Sequence, residues 1–180
     1  MAELIANTAL EGRAPFEAGA AWLGEKAVGP ITSVAPLRVQ GGAVHAALEQ
    51  SLGLGFPEPG RALEAGAARI AWAGHAQAFL IGAEPPDSLR SIAALTDLSD
   101  GWVVLRLHGS GAGDVLARLV PVDLRAGRFG PDASARTLLG HIPALILGRE
   151  DGFEVLVMRS FAYSAWHEIE TAMRGLAARG

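Results

Sequence analysis

Val34-Ala35-Pro36-Leu37-Arg38-Val39-Gln40-Gly41-Gly42 and Trp102-Val103-Val104-Leu105-Arg106-Leu107-His108-Gly109 are two renderings of one pattern. In each, apolar residues alternate with other residues and the run ends on glycine, the pattern of a half-buried strand that gives way to a turn. A shift of 68 residues lays Leu37 on Leu105, Arg38 on Arg106, Val39 on Leu107 and Gly41 on Gly109. The segments after the two glycine turns repeat as well. Past Gly41-Gly42, Val44, Ala47, Leu48 and Leu52 recur at helical spacing; past Gly109, so do Val115, Leu116, Leu119 and Val120.

Two apolar runs, Ala68–Ala73 and Ala76–Gly82, flank Gly74-His75 and read as a hairpin, and Pro85-Pro86-Asp87-Ser88 opens a helix toward Leu95. In the second copy the runs are Thr137–Leu147 and Phe153–Arg159, followed by an amphipathic helix from about Phe161 to Ala178. The order is therefore β-α-β-β-α, twice, over residues 34–95 and 101–178. Two copies of so long a period make a duplicated unit and not a solenoid. The predicted fold is α+β: a mainly antiparallel sheet with helices packed on one face, in one domain over residues 34–180. The other sheet face, with Arg38, Arg106 and Trp102, is then less apolar and open to a partner.

Residues 1–33 contain Gly12, Gly19, Gly24, Gly29, Pro15 and Pro30 between short apolar patches. This punctuation predicts an irregular arm. An arm that carries Trp22 must lie against a surface, because ordering it is costly unless the indole is buried. Deleting residues 1–25 is then expected to weaken assembly more than it lowers the melting temperature.

Over 180 residues, half are hydrophobic and 19% charged, enough to bury a core of this size. A net charge of −4 gives no attraction toward nucleic acid or anionic lipid. No basic segment followed by a long apolar stretch begins the chain, and no apolar run approaches the length of a membrane span. A cytoplasmic protein is expected. The absence of cysteine removes thiolate nucleophiles, disulfides and cysteine-containing zinc sites.

The remaining reactive residues do not form a familiar pattern. His108-Gly109-Ser110-Gly111-Ala112-Gly113-Asp114 lies between a strand and a helix, but Asp114 puts a negative charge where a dinucleotide fingerprint has its third glycine. A P-loop would need a lysine there, and Lys26 is the only one. His108, Ser110 and Asp114 are not in a nucleophile elbow. The histidines His45, His75, His108, His141 and His167 are scattered, and the aspartates sit where turns are expected. No catalytic, cofactor-binding or metal-binding residue is assigned; the candidates for a partner interface are Trp22, Arg38, Trp102 and Arg106.

Four blocks carry a family likeness: Thr96–Trp102 (TDLSDGW), Leu116–Arg125 (LARLVPVDLR), Ala135–Pro143 (ARTLLGHIP) and Met158–Glu168 (MRSFAYSAWHE). With a looser match through Trp72 and Phe79–Gly82, the chain resembles the gamma subunit family of heterotetrameric sarcosine oxidase; residues 1–33 are unmatched. The resemblance implies a fold similar to the folate-binding domain of the glycine-cleavage T-protein. It also implies alpha, beta and delta subunits as partners, with FAD, FMN, NAD, zinc and folate carried by them and none by this chain. The complex would oxidatively demethylate sarcosine to glycine with O₂ and pass a one-carbon unit to tetrahydrofolate. The competing expectation is a stand-alone folate-binding or one-carbon-transfer protein of the same fold, which rests on fold analogy alone.

Overall fold

The computed structural model describes residues 7–179. The strands are β1 (Phe16–Ala18), β2 (Ala21–Lys26), β3 (Ile31–Pro36), β4 (Ala62–Ala65), β5 (Ala68–Gly74), β6 (Gln77–Ile81), β7 (Ala93–Asp97), β8 (Trp102–His108), β9 (Ser134–Leu139), β10 (Ile142–Arg149) and β11 (Gly152–Met158). The helices are α1 (Gly41–Leu52), α2 (Ala112–Leu116) and α3 (Ala162–Ala177), with 3-10 turns at Asp87–Ser91 and Arg159–Phe161. The strands form a larger sheet in the order β1-β2-β8-β11-β10-β9 and a smaller one in the order β4-β5-β6-β3-β7. All pairings between them are antiparallel.

The α+β class and the duplication both hold, but the repeated unit is β-α-β-β-β and not β-α-β-β-α: the run Thr137–Leu147 spans two strands, β9 and β10, turned at Gly140-His141, and β4 precedes the expected hairpin in the first copy. β8-α2-β9-β10-β11 repeats β3-α1-β4-β5-β6, and the neighbour order β9-β10-β11-β8 repeats β4-β5-β6-β3. In the smaller sheet the fifth strand, β7, comes after the unit in sequence; in the larger sheet β2 takes that place from the N-terminal side. Residues 16–26 are thus sheet and not an irregular arm. Leu23 is fully buried and pairs with Leu107, while Gly19 and Gly29, both at positive φ, turn the chain between strands.

Each sheet carries helices on one face, as expected, but there are two sheets, and the remaining faces are packed against each other. On the outer face of the larger sheet, Leu23, Val103, Leu105, Leu107 and Val155 meet Leu116 of α2 and Trp166, Ile169 and Met173 of α3. Those α3 residues follow a helical stripe, which is why that helix is legible in the sequence. On the smaller sheet Val34, Ile70 and Leu80 meet Val44 and Leu48 of α1 and Leu89. Between the sheets lie Ile31, Ala71, Phe79 and Ile81 on one side and Val104, Leu145, Leu147 and Leu156 on the other. The four layers, helix, sheet, sheet, helix, leave no broad sheet face open.

The repeat is offset differently from the sequence pattern. An offset of 71 residues aligns the first residues of α1 and α2, Gly41 and Ala112, and aligns Ile31 with Trp102, both facing the other sheet. Under it, Leu37 and Val39 belong to a turn. β3 ends at Pro36, and Leu37-Arg38-Val39-Gln40 is closed by the Gln40 N–H donating to the Leu37 carbonyl at 2.9 Å. The alternation at Val34–Gln40 therefore misleads. α2 stops at Leu116, short of Val120, and the helix expected toward Leu95 is a 3-10 turn followed by β7.

Val39 is 95% exposed with φ at 59°, a left-handed conformation that a β-branched residue holds only at a cost. Val39→Gly removes that cost and buries nothing less. Urea unfolding is expected to show a gain of about 1 kcal/mol, the usual size of the left-handed penalty.

Candidate functional site

Register places the residues of β2, β8, β11, β10 and β9 that face the smaller sheet in four rows. The first is Trp102, Met158, Pro143 and Leu138; the second Lys26, Val104, Leu156, Leu145 and Arg136. The third is Gly24, Arg106, Glu154, Leu147 and Ser134, and the fourth Trp22, His108, Gly152 and Arg149. In the two middle rows Val104, Leu156, Leu145 and Leu147 are apolar and covered by the smaller sheet. The two ends of this surface differ in chemistry and define two candidate regions.

At the lower end the sheets are joined by charge. Glu154, 3% exposed, accepts from Lys26 Nζ at 2.6 Å through Oε1 and from Arg69 Nη1 at 3.1 Å through Oε2. Arg69, 5% exposed, also donates to the carbonyls of Gly148 at 2.7 Å and Pro131 at 3.0 Å. Arg149 donates to Glu64 at 2.5 Å and lies 3.5 Å from Glu154. Burial pushes the Glu154 carboxyl up, but the hydrogen bond and charge of Lys26, with Arg149 and Arg69, outweigh it, so the group titrates below the ordinary carboxylate range. Burial lowers Arg69 in turn, against the pull of Glu154. The close approach of Gly148 fits this packing: a Cβ there would lie 1.9 Å from the Gly130 carbonyl oxygen. The hydrogen bonds of this network join distant segments, and no spacing in the sequence announces it.

At the upper end the first row is only partly covered. Met158 is 39% and Leu138 45% exposed, and Trp102 and Pro143 are half-buried. Phe79 meets the Trp102 ring edge-on at 5.0 Å, and the Arg136 guanidinium lies 5.1 Å from its centre. The result is an exposed apolar strip across four adjacent strands, β8, β11, β10 and β9, with a cation at its border.

The four sequence-nominated interface residues do not share a face. Trp22 stands on β2 with its ring over Gly24, where a Cβ would lie 2.2 Å from the indole, and 4.7 Å from the His108 ring. Arg106 lies between the sheets, mostly buried, and pairs with Asp151; its Nη1 is buried without a partner. Trp102 belongs to the strip. Arg38 is exposed in the turn after β3, a strand of the smaller sheet, and so does not share a face with Trp102 and Arg106 on β8 of the larger one. Met158 and Leu138 escape a reading of the sequence because their alternation matches that of buried neighbours.

The candidate residues for a nucleophilic centre are not drawn together. His108 Nδ1 lies 3.9 Å from Asp151, not Asp114, and its ring is engaged by Trp22. Ser110 and Asp114 make no side-chain hydrogen bond among the described residues. Among those residues no group of three His, Asp or Glu is placed to hold a metal ion, and no helix is long and apolar enough to cross a membrane. A recess of about 520 Å³ opens beside the β8–α2 turn, walled by Ala112, Leu124, Phe129 and Phe153 with Arg149 and Asp151 at its rim.

These features define an α+β protein built from a duplicated antiparallel unit, with charge locked between its sheets and an apolar strip left on its surface. No family model matches the sequence. A sarcosine oxidase subunit gamma from Arthrobacter sp. is 33% identical over 156 residues, 81% of this chain and 74% of the relative. The heterotetrameric sarcosine oxidase of Corynebacterium sp. U-96, solved with pyrrole 2-carboxylate, contains a chain that superposes with a TM-score of 0.76 at 27% identity, over 87% of this chain and 85% of that one. The chain belongs to the sarcosine oxidase gamma subunit family.

Proposed function

We propose that this chain is the structural gamma subunit of a heterotetrameric sarcosine oxidase, lending shape and contact area to the assembly. Oxidative demethylation of sarcosine to glycine by O₂, with the one-carbon unit passed to tetrahydrofolate, then proceeds on alpha, beta and delta partners. Those partners hold FAD, FMN, NAD, zinc and folate, since amine oxidation needs a flavin. The complex is proposed to be cytoplasmic. The observation that carries this reading is the likeness to a sarcosine oxidase gamma subunit along 81% of the chain. The exposed strip at Trp102, Met158 and Leu138 supports it, being the kind of surface that a partner covers.

Purification of the tagged chain from its native cell tests the reading. Flavin absorbance and sarcosine-dependent oxygen uptake should co-elute with the chain, and both should fall when its gene is deleted. A chain that elutes alone, with oxidase activity unchanged by deletion, refutes the proposal. The recess beside α2 is the one feature that favours a stand-alone folate-binding protein. Heat released on titrating the isolated chain with tetrahydrofolate would move the conclusion there.

Leu138→Asp together with Met158→Asp tests the strip. Each side chain is a little under half exposed in the isolated chain, so each change should cost about 1–2 kcal/mol of stability, from the lost partial burial and the poor fit of Asp to a strand, and leave the fold standing. Binding to the partner subunits should weaken by about tenfold or more, because a carboxylate would be buried against apolar surface. Size-exclusion chromatography of the co-expressed complex reads the difference.

A further inference from the structure

The two halves of the molecule differ at one edge. In the larger sheet β2 lies against β8, and its far side is covered by β1, with Phe16 opposite Leu23 and Ala18 opposite Ala21. In the smaller sheet β7 holds the same position against β3, and among the described residues no strand pairs with its far side. The Leu37 N–H donates to the Ile92 carbonyl, and the Leu98 N–H to that of Ile31. The even-numbered residues of β7 are therefore those bonded to β3, and by the antiparallel alternation Leu95 and Asp97 direct both backbone groups away from the sheet. Free edges are normally guarded by charged side chains, proline, a bulge or extreme shortness. β7, Ala93-Ala94-Leu95-Thr96-Asp97, has no lysine, proline or bulge; its one charge, Asp97, stands at its last residue, and Ala94 and Thr96 before it are exposed and uncharged.

We infer that β7 accepts an extended segment of another subunit, which adds antiparallel as a sixth strand in the place that β1 fills in the larger sheet. This rests on the assembly reading above. Charge describes the segment. Asp97 and Asp100 stand at one end of the edge and Arg38 at the other, beside Ile92, and neither Asp100 nor Arg38 makes an ion pair among the described residues. An antiparallel segment therefore begins with a basic residue near Asp97 and ends with an acidic one near Arg38. The edge also leads into the exposed strip, whose first residue, Trp102, comes after β7 across a single turn with its N–H donating to the Leu98 carbonyl. A second copy paired through five residues alone would bury far less than the roughly 1,000 Å² of a stable interface. A partner strand that continues onto the strip has no such limit.

Amide hydrogen exchange at single-residue resolution, on the isolated chain and on the assembled complex, tests this. Ala94 and Thr96 should be protected in both, while Leu95 and Asp97 should exchange freely in the isolated chain and slow by about 100-fold in the complex. A complex that forms while Leu95 and Asp97 stay unprotected overturns the inference and leaves the assembly reading intact. Failure to enter any complex overturns both. Protection of these two amides that rises with the concentration of the isolated chain identifies a second copy as the occupant and also overturns it. Leu95→Pro removes the outward N–H without touching a bond to β3, and should weaken complex formation about tenfold. Leu95→Ala keeps that N–H and should bind as the native chain does; equal weakening by the two variants counts against strand addition.

Discussion

Glu154→Leu lowers the free energy of unfolding by about 3–5 kcal/mol, the range found when one member of a buried ion pair is removed and its partner is left behind. The side chain that suffers is Arg69. Lys26 is 39% exposed and can turn its ammonium to water, but the Arg69 side chain is only 6% exposed and is fixed by the carbonyls of Gly148 and Pro131. Without Glu154, its guanidinium keeps two neutral acceptors and the more distant carboxylate of Glu64 at 4.0 Å, but loses its close carboxylate, with Arg149 still nearby as a like charge. The pair Arg69→Met and Glu154→Leu should recover part of the loss, because two apolar side chains of similar length can pack between the sheets, while the carbonyls of Gly148 and Pro131 lose their donor. Urea unfolding of the single and double variants measures the coupling. A Glu154→Leu chain within about 1 kcal/mol of the native one would mean that the network does not hold the sheets together.

The same carboxylate gives the stability a direction in pH. Its folded value lies below its unfolded one, because the favourable effect of Lys26, Arg149 and Arg69 outweighs the desolvation of the site. The contribution is therefore complete above the ordinary carboxylate range and is lost as pH falls through the depressed folded value. Glu170, lowered by its hydrogen bond from Arg174 and to a lesser degree that from Trp166, acts in the same sense. Glu154→Gln should flatten the fall of the unfolding free energy between about pH 6 and pH 3 relative to the native chain.

What the sequence reveals here is whatever a short window determines. α3 presents Trp166, Ile169 and Met173 on one stripe, and β5 and β6 are apolar runs joined by Gly74-His75, so both are legible without a structure. β2 is not. It is flanked by β1 and β8, so Leu23 and Ala21 are buried while Gly24 lies flat under Trp22, and the glycines that suggest a loop are those that permit the turns and the stacked indole. At Val34–Gln40 the failure runs the other way: a regular alternation continues past Pro36 into a turn where Leu37 and Val39 face solvent. The interface strip falls between these cases. Trp102 can be nominated from its position at the start of a strand, but Leu138 and Met158 become neighbours of it only through the pairing of four strands. The ion network is more remote still, since its closest contacts join residues 85 and 128 positions apart.

Removal of residues 1–25 should abolish cooperative folding, reversing the outcome that an irregular arm would give. The deletion takes away β1, almost all of β2 and the fully buried side chains of Leu10 and Leu23. Two buried leucines account for about 3–6 kcal/mol by burial alone. The exposed flank of β8 then loses its hydrogen-bonded neighbour in the middle of the core, and the pairs Leu23–Leu107 and Glu25–Leu105 disappear with it. Set against a typical total of about 5–15 kcal/mol, little stability would remain. Leu23→Ala probes the same strand in a chain that still folds: the expected loss is about 2–5 kcal/mol, read as a fall in melting temperature of about 2–4 °C per kcal/mol. A truncated chain that melts within a few degrees of the intact one would show that β2 is an accessory strand, and the pairing of β2 with β8 would then carry none of the weight assigned to it.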